Sequence, residues 1–144
     1  MKVNIKRVDK SLPLPKYETQ GSVGFDLLCR ESAEIAPKSI ELIPANVIVE
    51  TPPGYMLMLC MRSSSPRKFG LMMAQSVGII DTDYCGEDDE IKIQVYNFTD
   101  SPVKVEKGDR IAQAIFVKVA TPEWNEVEQM SDTSRGGFGS TDHK

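Results

Sequence analysis

The chain has 144 residues, 40% hydrophobic and 26% charged, which suits one domain with a real core and calls for no membrane segment. A net charge of -4 and a pI near 5.1 offer no general attraction to a polyanion. A nucleic-acid partner is therefore not expected, although a local group of cations and backbone N–H donors can still hold a small anion.

In chain order, residues 1–10 alternate apolar with charged side chains and show no apolar run ahead of a small-residue cleavage site, so no secretion signal is expected. Stretches of β-forming residues, punctuated by Gly, Pro, Asp and Ser, follow at 2–8, 40–50, 55–61, 75–80, 91–98, 102–106 and 111–119, which predicts a barrel or sandwich. In 91–98, Ile91, Ile93 and Val95 alternate with Lys92, Gln94 and Tyr96, the period of a strand with one buried face. One short helix is predicted at 65–70, with Ser65 as N-cap, Pro66 at the first helical position and Gly70 as the stop. Ser131 to Thr141 is rich in Gly, Ser and Thr and too polar to pack against its own core. The chain thus divides into a β domain at 1–130 and a flexible tail at 131–144. Cys29, Cys60 and Cys85 are widely spaced without a CxxC pair, and the one histidine is His143, which argues for a reducing compartment and against structural zinc.

Several segments carry candidate chemistry. Arg62-Ser63-Ser64-Ser65 follows an apolar run and enters the helix, so its hydroxyls either cap that helix or bind an anion. Gly78 through Glu87 is expected to form a hairpin. There Asp81 directly follows Ile79 and Ile80: it is either a solvated turn acid or a partly desolvated general base. The run Glu87-Asp88-Asp89-Glu90 reads as a solvated acidic turn. Asp109-Arg110 suits a turn cap or an ion pair. Gln113 shares the period of Ile111 and Ile115, and is either a satisfied buried amide or a polar group in a pocket. Arg135 to Thr141 combines one cation, one ring, flexible glycines and hydroxyls; it is either a disordered end or a phosphate-binding flap.

Val23-Gly24-Phe25-Asp26-Leu27, Arg62-Ser63-Ser64, Gly78 to Gly86, Gly108 to Gln113 and Arg135 to Thr141 occur in the order of the motifs of the trimeric dUTPase family, which this chain resembles over nearly its whole length. The resemblance implies an all-β, jelly-roll-like fold with one short helix. It also implies a homotrimer whose sites lie between subunits, each tail reaching a neighbour, and a magnesium-assisted hydrolysis of dUTP to dUMP and pyrophosphate. Magnesium would be held mainly by substrate and water, without direct protein ligands. A cytoplasmic location follows, in a bacterial cell or a phage- or virus-infected host.

The resemblance also implies roles. Asp81 would activate the attacking water, and Asp26 would stand behind magnesium-bound water or the motif arginines. Arg62, Ser63, Ser64 and Gln113 would bind the phosphates, and Tyr84 would pack under the deoxyribose, leaving no space for a ribose 2′-hydroxyl. The hairpin backbone would read uracil, with Gln75, Gly78, Ile80 and Ile91 among the substrate-binding positions. In the tail, Arg135 would bind the γ-phosphate and Phe138 would stack on uracil, with Gly139, Ser140 and Thr141 completing the contacts.

The chain departs from the family pattern at Gln75, where an Asn is common, and at Cys85, where Arg or another polar residue is usual. Two alternatives share the fold. dCTP deaminase has a comparable arginine-serine-serine motif followed by another arginine, here Arg67, but no Asp-centred third motif or arginine-glycine-phenylalanine flap. The second is a regulatory module in which bound nucleotide controls a protein partner.

Overall fold

Apolar residues at every second position give short segments one face to bury, and β-branched side chains suit the pleated surface. In the computed structural model, which describes residues 1–131, 133, 134 and 136, these segments form β1 (Ile5–Arg7), β2 (Phe25–Leu28), β3 (Ala33–Ile35), β4 (Ile40–Pro44), β5 (Val47–Val49) and β6 (Tyr55–Met61). The helix α1 (Ser65–Phe69) precedes β7 (Leu71–Met73), β8 (Gly78–Ile80), β9 (Lys92–Asn97), β10 (Val103–Val105) and β11 (Arg110–Lys118). The pairing is antiparallel throughout, in sheets ordered β1-β5, β3-β10, β2-β11-β6-β8 and β4-β9-β7. The fold is all-β and jelly-roll-like, with one short helix.

The core lies between these sheets, where Leu27, Ile43, Leu57, Leu59, Ile93 and Ile111 are buried. Each such side chain stabilises the fold by about 1.5–3 kcal/mol. Ile91, Ile93 and Val95 are buried while Lys92 is exposed, as the alternation predicts. Residues 55–61 form one strand as expected, but 40–50 is two. Asn46 breaks it with φ 67°, and its buried amide holds the turn by accepting from the Asp9 N–H at 2.7 Å and donating to the Asp9 carbonyl at 3.1 Å. The predicted strand at 75–80 is cut to Gly78–Ile80 because Ser76 turns at φ 69°. β2, β3 and β7 lie outside the predicted stretches.

Two local expectations are corrected. Ser65 is not the cap: Ser64 holds that position, with no side-chain capping bond, and the Ser65 hydroxyl donates to the buried Ile111 carbonyl at 2.6 Å. In β11 the register shifts between Arg110 and Ala112, a bulge that reverses which face looks inward. Ile111, Ala112 and Ala114 are therefore buried, and Gln113 shares a face with Ile115 but not with Ile111.

Candidate active site

Where β2, β6 and β11 lie side by side, their polar residues meet. Asp26 pairs in register with Gln113, and Gln113 with Cys60, so the first and fourth motifs sit beside the end of β6 that leads to Arg62. The guanidinium Nε of Arg62 lies 3.0 Å from Asp26 Oδ1, and its Nη1 donates to the Arg110 carbonyl at 3.2 Å. Arg110 Nη1 in turn donates to Glu18 Oε1 at 2.6 Å and to Asp26 Oδ2 at 3.4 Å. Partly exposed ion pairs contribute about 1 kcal/mol or less to stability. Their main effect here is to fix the direction of Arg62.

Glu18, Asp26, Arg62 and Gln113 line an open cavity of about 470 Å³ with Ser63, Thr19 and Gly24. Gly24 is needed for the close approach of β2 and β11, since a Cβ there would stand 3.1 Å from Gln113 Oε1. Gln113 Nε2 donates to the Met61 carbonyl at 3.4 Å, so Gln113 is both half-satisfied and at the pocket wall. Ser63 is exposed and Ser64 half-buried. The Ser64 hydroxyl makes no capping bond, and Ser63 lines the cavity. Asp109 is a turn cap: its Oδ2 accepts from the Glu106 N–H at 2.9 Å.

The third motif lies elsewhere in the same chain. Ile80 pairs with Leu57, which sets Asp81 opposite Met56, six residues before Arg62; at ~3.3 Å per residue the two ends are ~20 Å apart. Asp81 is exposed, so its own chain does not supply the expected desolvation. Tyr84 is 38% exposed, and its hydroxyl donates to the Glu90 carbonyl at 3.3 Å.

The expected hairpin is corrected as well. β8 pairs with β6 while β9 pairs with β4 and β7, so 81–91 is a crossing between sheets rather than a two-stranded ladder. Nor is the acidic run merely solvated. Glu87 pairs with Lys6, whose hydrogen bond holds its carboxyl below the usual range, and Asp89 Oδ2 accepts from the Gly86 N–H at 2.7 Å. Glu90 is buried against Arg30, whose pKa its hydrogen bond raises. Sequence reasoning passed over Glu90; its signal was a carboxylate directly before the alternating run of β9.

Of the other positions, Gln75 is exposed in the turn before β8. Gly78 is buried where a Cβ would meet Leu59 at 3.1 Å. Ile80 is half-buried. Ile91 is fully buried, and its N–H and carbonyl bond Val47 and Ala45, which sets its side chain in the core and away from any cleft. Cys85 Sγ lies 3.6 Å from the Thr82 carbonyl. Arg135, Phe138, Gly139, Ser140 and Thr141 lie outside the described residues. Among those described, no three His, Cys, Asp or Glu side chains could hold a metal ion, and no helix is long and apolar enough to cross a membrane.

Fold and cavity together define a jelly-roll-like protein whose open cavity carries an oriented arginine, a hydroxyl and a carboxamide, the donor types that suit a small anion. A family model described as dUTPase matches residues 10–142. The deoxyuridine 5'-triphosphate nucleotidohydrolase of Helicobacter pylori (strain P12) is 40% identical over 143 residues, covering 98% of this chain and 97% of that protein. Among solved structures, the dUTPase of Streptococcus mutans matches with TM-score 0.76 and 35% identity over 83% of this chain and 98% of its own. A Staphylococcus bacteriophage 80alpha dUTPase with dUPNHPP matches with TM-score 0.86 and 26% identity, over 96% of this chain and 97% of its own. The chain belongs to the dUTPase family, hydrolases of nucleotide metabolism.

Proposed function

We propose that this chain hydrolyses dUTP to dUMP and pyrophosphate in sites that the subunits of a homotrimer build jointly. The observation that carries the reading is the separation of its motifs: the Arg62 cavity and Asp81 occupy opposite ends of β6. A triphosphate too short to bridge that distance requires the Asp81 of one subunit beside the Arg62 of another.

In such a site the Asp81 carboxylate takes a proton from water as the water oxygen bonds to the α-phosphorus and the bond to the departing pyrophosphate breaks. Burial by the neighbour would supply the low-dielectric surroundings that a lone subunit lacks. Arg62, Ser63, Ser64 and Gln113 hold phosphate oxygens, and Asp26 keeps Arg62 aimed. Tyr84 packs under the deoxyribose.

The donor set suits a metal that arrives with substrate. Both carboxylates of the cavity, Asp26 and Glu18, already face arginines, and magnesium can be held largely by phosphates and water. When bound, it neutralises charge on the phosphate chain. Residues 131–144 act as a separate tail that closes over a neighbour's site. There Arg135 takes the γ-phosphate, Phe138 covers the base, and Gly139, Ser140 and Thr141 add donors. We place the activity in the cytoplasm, in keeping with three free cysteines.

The test measures pyrophosphate release from dUTP and ammonia release from dCTP side by side. Pyrophosphate from dUTP alone is expected; ammonia from dCTP would sink the reading. Refolding Asp81→Asn together with Arg62→Ala subunits should restore turnover that neither variant shows alone, because mixed trimers contain some intact sites. No restoration in verified mixed trimers would sink the shared site.

A further inference from the structure

The acidic stretch between Asp81 and β9 has no part in the chemistry above, yet its last member is the most enclosed acid of the chain among the described residues. Glu90 Oε1 accepts from Arg30 Nε at 2.8 Å and from the Asn46 backbone N–H at 2.8 Å, with its side chain only 10% exposed. Both donors belong to rigid surroundings. The Arg30 N–H is tied to the Pro44 carbonyl at 2.8 Å, and Asn46 sits buried in the turn between β4 and β5. The next residue, Ile91, donates its N–H to Val47 at 2.9 Å, so the Glu90 backbone is clamped from its side chain and from its neighbour.

The turn that carries Asp81 and Tyr84 is held far less. Its own closing bond, Tyr84 N–H to the Asp81 carbonyl, is 3.4 Å long. Among the described residues, the Tyr84 hydroxyl on the Glu90 carbonyl, at 3.3 Å, is the one side-chain hydrogen bond joining 81–84 to the anchored stretch 86–91. We propose that Glu90, paired with Arg30, is a positioning residue that fixes the Tyr84 ring and thereby sets the preference for deoxyribose over ribose. This rests on the dUTPase reading, in which the Tyr84 ring fills the space of a 2′-hydroxyl. A ring that is free to tilt gives that space up, and a fixed one does not. Arginine with a carboxylate suits the task, because a charge-assisted bond is short and directional.

The experiment compares kcat/KM for dUTP and UTP in the full-length wild type, Glu90→Ala, Glu90→Gln, Tyr84→Phe and the Glu90→Ala/Tyr84→Phe double variant, with thermal unfolding of each. The dUTP-to-UTP ratio should fall about tenfold in Glu90→Ala and in Tyr84→Phe, and no further in the double variant, since both cut one linkage. Glu90→Gln keeps the shape and one acceptor, and should recover part of the ratio. A Glu90→Ala ratio equal to wild type, with only a lowered Tm, would reduce Glu90 to a stabilising group and overturn the proposal; so would full additivity in the double variant. Should Glu90→Ala not fold, Arg30→Gln cuts the same anchor from the other side and is read in the same way. Amide hydrogen exchange over 82–89 gives a readout independent of turnover: faster exchange in the variant supports the brace, and unchanged exchange overturns it. Absence of pyrophosphate release by the wild type would instead remove the dUTPase reading, and the exchange result would then decide the brace alone.

Discussion

At the Arg62 end of β6, the described charges are matched within the chain: Glu18, Arg110, Asp26 and Arg62 form one connected series. At the other end, Asp81 is exposed with no hydrogen-bond partner for its side chain among the described residues, and Glu87, Asp89 and Glu90 beyond it anchor their own loop. The contrast fits the two tasks proposed for these ends. A phosphate needs cations already aimed before it arrives, which one subunit can arrange. A general base gains from desolvation, which an exposed turn acquires only when another surface covers it.

Breaking the exposed end should have the largest effect. Asp81→Asn keeps the shape but cannot accept the water's proton, so kcat for dUTP is expected to fall by about a thousandfold or more with KM within a few-fold of wild type. A parallel rise in KM would mean that Asp81 binds substrate rather than activating water. At the prepared end, Arg62→Gln should lower kcat/KM by about a hundredfold through loss of a charged, oriented donor, as read in steady-state assays. Asp26→Asn should cost about tenfold, because Arg62 keeps its bond to the Arg110 carbonyl. If instead Asp26→Asn matched Asp81→Asn, Asp26 would belong to the chemistry and the contrast between the ends would collapse.

Smaller effects probe the packing between the ends. Gly78→Ala brings a Cβ to 3.1 Å from Leu59, and should cost about 1 kcal/mol, or about 3 °C in Tm, with turnover of the folded enzyme preserved. The smallest effect concerns pH. Burial pushes the Cys29 thiol from 9.0 up to about 12, so its neutral form is favoured in the fold. The associated stability is complete below pH 9 and fades as the pH climbs toward 12, because the unfolded chain ionises first. At pH 8 Cys29 should resist an alkylating reagent that modifies the half-buried Cys85; rapid labelling of native Cys29 would show that the core opens at the β2 end.

The candidate groups were legible where local residue order carries them. Arg62-Ser63-Ser64, Asp81 and Gln113 stand out in short stretches, and the family resemblance added Asp26 and Tyr84. Period-2 alternation likewise disclosed β9, and runs of β-forming residues between turn punctuation disclosed β6 and β11. What stayed hidden were features decided by one residue's backbone or by a distant partner. The bulge that turns Gln113 away from Ile111 has no mark in the apolar pattern, and Ser65 resembles an N-cap until the Ile111 carbonyl claims its hydroxyl. Glu90 looked like one acid in a solvated run because its partner Arg30 lies sixty residues earlier.

Residue order alone determined the β class, the short helix with its Pro66 start and Gly70 stop, and which side chains could serve a polyphosphate, since periodicity, turn chemistry and functional groups are properties of neighbours in the chain. Only the tertiary structure decided that β8 and β9 enter different sheets, that Arg62 and Asp81 stand at opposite ends of one strand, and that Glu90 is an anchor. Those facts depend on which strands pair and in what register, and pairing is chosen by burial of the whole core at once rather than by any segment within it.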